Sequence, residues 1–326
     1  KTSDPTASEA EGTVWYNSTS PTALKYSIAS SGAWASGPAV DQTRAFGIGS
    51  ATQTASLYVG GSGGGATGNE TESYNGTAWT VKNVLTQARN RLGSANNAPN
   101  TATIAFGGCS PSDPTTHYKN TETWDGTNWT EVADLNTARR EFGGSAGTVS
   151  TAALGVSGYT TTYITNVEEW NGTSWAEVYD VNTGRGIGCG GGSTTDALFC
   201  GGNSTQIKNT ETYNGTSWTE VADMNWRRAY FGGGITSSTS GIVFGGDATS
   251  PAIPAPQRVD HYTESWNGTS WTEEANLATP IEGGAGCGST SAANSFGGYE
   301  TPPGAYPTGT ELWNDPVYTI KTVTVS

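Results

Sequence analysis

Apolar and polar positions change in short, regular segments along most of the chain. In residues 131–175, a glycine-rich segment at 142–144 precedes an apolar run at 151–158, and alternating segments follow at 166–170 and 174–178. An apolar run bounded by turn residues predicts a strand buried on both faces, whereas alternation predicts half-buried strands. Four short strands, labelled a, b, c and d in chain order, therefore make up one unit.

The connection between strands c and d returns in five closely similar copies. Each has an aromatic residue, Asn-Gly or Asp-Gly, Thr, one further residue and Trp, at residues 74–79, 124–129, 170–175, 213–218 and 266–271. Asn-Gly predicts a tight type I′ hairpin, in which both central residues need positive φ. The copies start 50, 46, 43 and 53 residues apart. A period of about 40–50 residues predicts a β-propeller or another repeat array.

Further positions recur in register with these hairpins. Strand b ends in a Gly-Gly doublet in five units and in Ser157-Gly158 in another. Five units have an arginine before strand a: Arg44, Arg89, Arg139, Arg185 and Arg228. The sixth unit has Thr279-Pro280 at this place. A glutamate lies two residues before each strand-c aromatic: Glu72, Glu122, Glu168, Glu211, Glu264 and Glu311. Residues repeated in every unit favour a structural Arg–Glu pair that ties the d–a connection to strand c.

The Gly-Gly doublet, the aromatic of strand c and the Trp of strand d together resemble the kelch repeat over about residues 40–318. Kelch repeats build β-propellers with one four-stranded blade per repeat, so the resemblance implies an all-β propeller. A glycine-rich strand a fits the innermost position of such a blade, where side chains have little room. The pattern departs from the family at Ser157 and at 314–318, where Asn-Asp-Pro-Val-Tyr replaces the turn and the Trp.

The blade count depends on the two ends of the chain. Strands a to c are present six times, and residues 23–28 with 32–34 look like an additional c–d hairpin. Residues 13–17 and 320–325 would supply its b and a strands, giving a seventh blade shared by the chain ends. Such closure removes exposed sheet edges, so we favour seven blades over six blades with an N-terminal hairpin. The expected organisation is an N-terminal extension at 1–12 and one propeller domain at 13–326.

Composition narrows the classes of partner. Charged residues are 13% of the 326 residues, against a usual value of about 25%, and the net charge is −14. The 15 basic residues are scattered, which disfavours nucleic acid, and no apolar run is long enough for membrane insertion.

The sequence begins Lys1-Thr2-Ser3, without Met or a signal-peptide pattern, as a processed form or a fragment would. Cys109, Cys189, Cys200 and Cys287 match no zinc spacing; they predict buried thiols, with a Cys189–Cys200 disulfide as the alternative.

Candidate binding residues lie in the segments that do not repeat. In an up-and-down blade the b–c and d–a connections share one face, and variable loops on a rigid scaffold are where binding usually occurs. The longest b–c loops contain the histidines and several unrepeated aromatic residues. The candidate residues are His117, Tyr118, Trp226, Arg258, His261, Tyr262, Tyr299 and Tyr306. Surface loops without a ligand remain the alternative for any one of them.

The sequence contains little that indicates a catalytic or metal-binding site. Asp125-Gly126-Thr127-Asn128-Trp129 resembles the sialidase Asp-box but lacks one residue between Asp and Gly. Copper-oxidase chemistry needs converging histidines, and His117 and His261 lie in loops of different units. We expect no catalytic residue, metal or cofactor. Asn-X-Thr occurs at Asn75, Asn171, Asn214 and Asn267, but the turn explains Asn-Gly without glycosylation.

The most concrete clue to function is a resemblance at the start of the chain. Residues 12–17, Gly-Thr-Val-Trp-Tyr-Asn, followed by Leu-Lys-Tyr at 24–26, are similar to a phrase of phage tail fibres and tail-associated proteins. This implies an extracellular or virion protein, without enzymatic activity, that binds a host receptor such as a glycan. Other virion or appendage proteins, in multiple copies, are the expected neighbours. A secreted glycan-acting hydrolase or lyase and a purely structural decoration protein are the alternatives.

Overall fold

The computed structural model describes residue 5 and residues 13–18, 23–29, 32–142, 144–202, 207–247, 261–300, 304–315 and 318–323. Regular structure in this part of the chain consists of strands, without an α-helix. It accordingly contains no helix of the length and hydropathy needed to span a membrane. The N-terminal extension predicted at 1–12 lies outside the described residues, apart from Pro5. The contacts divide the chain into two compact units, residues 34–313 and the two chain ends.

The chain ends form a three-stranded antiparallel sheet of β1 (Val14–Asn17), β2 (Ala23–Ala29) and β27 (Tyr318–Thr322), in the order β1-β2-β27. Trp15 and Asn17 are buried, whereas Val14 and Tyr16 are exposed, so β1 alternates as a strand with one covered face does. The predicted role of 320–325 as strand a beside 13–17 is wrong, because β27 pairs with β2 instead.

The described residues of 34–313 form six four-stranded antiparallel sheets, the blades of a β-propeller. In chain order the strands are β3 (Ala33–Gly37), β4 (Ile48–Thr52), β5 (Ala55–Val59), β6 (Thr71–Tyr74), β7 (Trp79–Val81), β8 (Gly93–Ser94), β9 (Ile104–Phe106), β10 (Thr121–Trp124), β11 (Trp129–Val132), β12 (Gly144–Val149), β13 (Ala152–Val156), β14 (Val167–Trp170), β15 (Trp175–Glu177), β16 (Cys189–Gly192), β17 (Ala197–Cys200), β18 (Thr210–Tyr213), β19 (Trp218–Val221), β20 (Gly232–Ser237), β21 (Ser240–Phe244), β22 (Thr263–Trp266), β23 (Trp271–Glu273), β24 (Ala285–Gly288), β25 (Ala292–Phe296) and β26 (Thr310–Asn314). Blades 1 to 5 take four consecutive strands each, from β4 to β23. Blade 6 consists of β24, β25, β26 and β3.

The prediction of seven blades is wrong, and the six-blade alternative is confirmed. The strand that contains Trp34 is the missing strand d of blade 6, because it pairs beside β26. The rings of Trp34 and Trp313 lie 5.6 Å apart, as the c–d aromatic pairs of the other blades do. The sequence at 314–318 has no Asn-Gly turn motif, and strand c of blade 6 takes its outer neighbour from the N-terminal part of the chain. With β3 in place, blade 6 is complete and packs against blade 5 on one side and blade 1 on the other, which closes the ring.

In the part of the chain that the structure describes, the hydrophobic core consists of six clusters, one at each interface between neighbouring blades. Strand b of one blade packs against the c–d aromatic pair of the next; Ile104 and Phe106 of blade 2, for example, contact Trp170 and Trp175 of blade 3. The repeated Trp residues are therefore core residues, which gives each interface a large buried aromatic surface. Because every cluster spans two blades, no blade has a complete core by itself.

A hydrogen bond from each strand-d Trp crosses the same interfaces. Trp129 Nε1 donates to Thr71 Oγ1 of the preceding blade at 2.9 Å, and equivalent bonds link Trp34, Trp79, Trp175 and Trp271 to a threonine at the start of strand c. Blade 3 begins its strand c with Val167, which has no hydroxyl group. Trp218 of blade 4 therefore donates to the carbonyl oxygen of Tyr179 at 3.0 Å. One valine thus explains the only departure among the six tryptophans.

The inner strands are glycine-rich because their backbones touch. A Cβ atom on Gly49 would lie 2.4 Å from the carbonyl oxygen of Gly286 in the adjacent blade, and one on Gly190 would lie 2.9 Å from Cα of Gly144. Real Cβ atoms do not approach that closely, so these positions exclude every other residue. The glycines of strand a are therefore a packing requirement of the propeller axis.

The predicted type I′ geometry of the c–d turns is wrong. Tyr74 and Trp79 are paired across the hairpin, which leaves a four-residue loop, and within it only Gly76 has positive φ, at 91°. Asn75 uses its side chain instead: Oδ1 accepts N–H bonds from Thr77 and Ala78 at 3.0 and 2.9 Å. Asp125, Asn171, Asn214 and Asn267 do the same. Asn is therefore selected as an acceptor that closes the loop.

Candidate functional site

The repeated arginines and glutamates form buried ion pairs in blades 1 to 5. Arg89 Nη2 lies 2.8 Å from Glu122 Oε1, and both side chains are fully buried. The corresponding pairs are Arg44–Glu72, Arg139–Glu168 at 3.2 Å, Arg185–Glu211 at 2.5 Å and Arg228–Glu264 at 2.6 Å. The glutamates also accept backbone N–H bonds from the d–a connection, such as those of Thr86 and Gln87 to Glu122. Each pair joins this connection to strand c.

Blade 6 shows what the arginine adds. Glu311 accepts the N–H groups of Ala278 and Thr279 at 2.8 and 3.0 Å, as the other glutamates do, but no arginine among the described residues pairs with it, and it is partly exposed. The carbonyl oxygen of Ile281 accepts a bond from the second glycine of the blade 5 doublet, as arginine carbonyl oxygens do elsewhere. Ile281, just beyond Pro280, therefore occupies the place of the arginine. Its apolar side chain needs no counterion.

A ring of six residues encircles the propeller axis at the start of the a strands. Each lies two positions after the repeated arginine or its blade 6 counterpart, and each donates its N–H to the carbonyl oxygen of the ring residue before it. The six bonds measure 2.7–3.1 Å, and the φ angles lie between 53° and 62°. The members are Phe46, Arg91, Glu141, Ile187, Tyr230 and Gly283.

The left-handed backbone of this ring, called the axial ring below, is uncommon because five of its six members are not glycine. That conformation costs roughly 1–2 kcal/mol per ordinary residue, and the closed set of hydrogen bonds holds it in place. Backbone outliers of this kind are enriched where function requires a fixed geometry. The residue type at this repeated position also changes from blade to blade. Sequence reasoning missed it, although the fixed offset from the arginines was a usable signal.

The side chains of the axial ring surround the mouth of a cavity of about 130 Å³ on the propeller axis. Phe46 and Tyr230 meet edge to face, with centroids 5.5 Å apart, across Gly283, which has no side chain. Burial and the nearby Glu141 raise the pKa of Tyr230, so its phenol stays protonated. The mouth therefore combines an aromatic side with a charged side.

The interior of the cavity is polar on one side. Blade 2 has the shortest strand a, Gly93–Ser94, and the following residues turn into the axis. Asn96 Nδ2 donates to the carbonyl oxygen of Gly190 at 2.7 Å, and Asn96 Oδ1 accepts bonds from Ser94 and Ser145. These groups link blades 2, 3 and 4. The remaining wall is largely glycine backbone, since Gly49, Gly144, Gly190, Gly233 and Gly286 all line it.

Two arginines approach one glutamate: Arg91 and Glu141 line the cavity, whereas Arg140 contacts Glu141 from outside the lining. Arg91 Nε and Arg140 Nη1 lie 3.5 and 3.6 Å from Glu141 Oε1, and the Nε atoms of both arginines are buried without a hydrogen-bond partner. Arg91 lies over the ring of Phe46 at 4.7 Å, and Arg140 lies over that of Tyr159 at 4.9 Å. The two guanidinium groups are thus fixed by aromatic faces.

Gly283→Ala should destabilise the propeller by about 1–3 kcal/mol through overpacking. A Cβ atom there would lie 2.5 Å from the ring of Phe46. The left-handed φ of 62° adds a cost of roughly 1–2 kcal/mol to the overpacking, as it does at the five ring positions that already have side chains. Guanidinium unfolding of Gly283→Ala, Phe46→Ala and the double variant measures this. The double variant should lose less unfolding free energy than the sum of the two single variants, because the added methyl group no longer meets the Phe46 ring. Strict additivity of the two losses would contradict overpacking as the cause.

The predicted loop residues form three separate aromatic groups. Trp226 stacks on Tyr262 with centroids 4.5 Å apart and planes at 14°, and Tyr262 also contacts His261. Tyr299 and Tyr306 lie 4.9 Å apart, and His117 contacts Tyr159, which meets Tyr163 at 5.3 Å. Tyr118, next to His117, is partly buried, with its N–H bound to Gly108. Arg258 lies outside the described residues.

The two histidines belong to opposite blades of the ring, blade 2 for His117 and blade 5 for His261. Burial and the charge of Arg140 lower the pKa of His117. Within the described part of the chain, no three His, Cys, Asp or Glu residues come together as metal ligands would.

The four cysteines are separate buried thiols. Cys189 and Cys200 face each other across β16 and β17, as the spacing suggested, but they are not bridged. Burial raises the pKa of Cys189 and of Cys287 to about 12. These thiols are therefore protonated at neutral pH, and they act as small core residues.

Comparison with known proteins adds no relative. No protein-family model matches this chain, and no curated protein sequence is significantly similar to it. The geometry alone establishes the architecture, which is a six-bladed β-propeller with four-stranded blades.

Proposed function

We propose that this chain is a non-enzymatic, kelch-like binding protein of a virion or surface appendage, and that it attaches to a host receptor through a glycan. The observation that carries the proposal is the stacked pair of Trp226 and Tyr262. Both are partly exposed and lie in connections of the face shared by the b–c and d–a segments. The phrase at 12–17, which resembles phage tail-fibre proteins, supports the virion setting.

The Trp226–Tyr262 platform fits sugar binding better than it fits a scaffold role. Other blades place Gln or Thr at the position of Trp226, whereas the scaffold aromatics recur in every blade. Trp226 Nε1 donates to Glu273 Oε1 at 3.0 Å, which fixes the indole plane. A rigid aromatic face with a satisfied polar edge offers apolar area to the C–H face of a sugar ring. The pair thus has the features of a built contact surface.

The test is a glycan array followed by titration of the best ligand. Trp226→Ala and Tyr262→Ala should each weaken binding about tenfold or more, as loss of an aromatic anchor does. Tyr16→Ala is the matched control, because Tyr16 is an exposed aromatic in the separate three-stranded sheet. Binding that survives both platform substitutions would overturn the assignment of this surface. Silence across the whole array would overturn glycan attachment itself.

Product analysis separates binding from catalysis. A bound oligosaccharide incubated with the protein should be recovered at its original length, because the proposal includes no bond-breaking step. Shortened or unsaturated products would favour the hydrolase or lyase class instead. Virion or filament preparations probed with antibody to the propeller test the setting, since an appendage protein should be displayed there.

A further inference from the structure

We infer that the mouth of the axial cavity binds a carboxylate group, so that the receptor glycan is acidic and contains a uronate or a sialate. The residues that would hold the carboxylate are Arg91 and Arg140. This inference rests on the proposed function and names its ligand class. The axial ring is a different surface from the Trp226–Tyr262 platform, although both belong to the face formed by the b–c and d–a segments.

The charge balance at the mouth differs from that of every repeated pair. Arg44, Arg89, Arg139, Arg185 and Arg228 each have their own glutamate and are fully buried. Arg91 and Arg140 instead share Glu141 at 3.5 and 3.6 Å, which is too long for a strong hydrogen bond. Their side chains are 22% and 18% exposed. Among these three residues one positive charge is therefore left over, and the thiol of Cys109 also lies beside both guanidinium groups.

The two guanidinium groups are held ready for a carboxylate. Arg91 is fixed by a ring hydrogen bond on each side of its peptide and by the face of Phe46. Arg140 lies on Tyr159, which in turn contacts Tyr163. A planar guanidinium with a fixed orientation binds a carboxylate through two parallel bonds. Little conformational entropy is then lost on binding, which favours affinity.

The surroundings favour an anion with a single negative charge. Glu141 contacts both arginines, and Glu282 lies in blade 6, on the side of the ring opposite Arg140. A group with two or three negative charges would meet these carboxyl groups as well as the arginines. The overall charge of −14 acts weakly here, because 0.15 M salt screens exposed charges beyond about 8 Å. A lone carboxylate on an otherwise neutral sugar fits this pattern.

The cavity size limits what enters. About 130 Å³ is below the range of roughly 300–1,000 Å³ typical of sites that enclose a drug-sized ligand. The cavity thus accepts a substituent of a sugar rather than a whole oligosaccharide. The rest of the glycan would extend over the loops, where Tyr159, Tyr163, Tyr299 and Tyr306 present partly exposed rings.

The experiment compares acidic oligosaccharides with their own methyl esters. The probes are oligogalacturonate and a sialylated trisaccharide, which distinguish a uronate from a sialate source. Arg91→Gln and Arg140→Gln should each weaken binding of the preferred acid about tenfold or more, and the ester should bind the unaltered protein equally weakly. Lys82→Gln is the control, because it removes one exposed positive charge outside the ring.

Each outcome is decisive. Equal binding of acid and ester, or binding unaffected by both arginine substitutions, would overturn the carboxylate site while glycan attachment still stands. If the array showed binding of neutral glycans alone, the carboxylate site would likewise be overturned and glycan attachment would stand. If no glycan bound at all, both glycan attachment and the carboxylate site would be overturned. Arg91→Lys guards against misfolding: it keeps the charge but loses the planar fork, so partial binding with a normal melting temperature is expected.

Discussion

Glu122→Gln should reduce the free energy of unfolding by about 3–5 kcal/mol, the usual loss when one partner of a buried ion pair is removed. Arg89 and Glu122 are both fully buried, and their charged atoms lie 2.8 Å apart. Burial lowers the pKa of Arg89 to about 10, against the opposing effect of Glu122. The guanidinium therefore stays charged at neutral pH and cannot escape the penalty by losing a proton. The propeller would bury an unpaired cation.

Glu311→Gln is the matched control, because blade 6 lacks the arginine. This substitution also replaces one carboxylate oxygen that accepts a backbone N–H. Partial exposure lets water compensate, so the loss should be about 1 kcal/mol. The comparison is made by guanidinium unfolding of both variants beside the unaltered protein. Similar losses for Glu122→Gln and Glu311→Gln would mean that the ion pair contributes nothing beyond its backbone bonds.

Trp34→Ala should destabilise the propeller by about 3 kcal/mol, at the lower end for a tryptophan because Trp34 is only partly buried. Its ring contacts Phe244 of blade 5 at 4.8 Å and Trp313 of blade 6 at 5.6 Å, and Nε1 donates to Thr263 at 3.0 Å. The substitution removes the anchor of the strand that completes blade 6. Thermal and guanidinium unfolding measure the loss.

Two further variants separate the causes at Trp34. Trp34→Phe keeps an aromatic ring and loses the hydrogen bond, so about 1 kcal/mol should be lost. Tyr179→Ala removes an aromatic side chain that is 57% exposed, and it should change stability by less than about 0.5 kcal/mol. A Trp34→Ala loss as small as that of Tyr179→Ala would contradict closure of blade 6 by β3.

Much of the architecture could be predicted from local patterns. Gly-rich, apolar and alternating segments identified strands a to d, because the burial of each strand face determines which of its positions are apolar. The c–d turns were located correctly and given the wrong geometry. Asn75 was read as a residue that tolerates positive φ, whereas the structure uses its side-chain oxygen. Both roles favour Asn, so residue type alone does not separate them.

The blade count could not be decided in the same way. Trp34 has the residue type of a strand-d tryptophan, and its neighbours in sequence suggested a hairpin with residues 23–28. The pairing is instead with β26, almost 280 residues away in sequence. Closure of a ring is a contact between distant segments, and local periodicity carries no information about which distant strand is adjacent.

The candidate site shows the same limit. The loop aromatics were found because they break the repeat, and the structure groups them as Trp226 with Tyr262 and Tyr299 with Tyr306. Arg91, Arg140 and Glu141 were missed, since each looked like an ordinary residue in its own blade. Only the ring of blades brings the charged groups of different repeats to one axis.

The sequence by itself determined the strand content, the repeat and the residues each blade buries, because these depend on side-chain size, polarity and turn chemistry within about 50 residues. The tertiary structure alone decided that six blades close the ring, that β3 completes the last one, and that Phe46, Arg91, Glu141 and Tyr230 surround a common cavity. Those facts depend on contacts between distant parts of the chain, which become fixed only when six interfaces pack together.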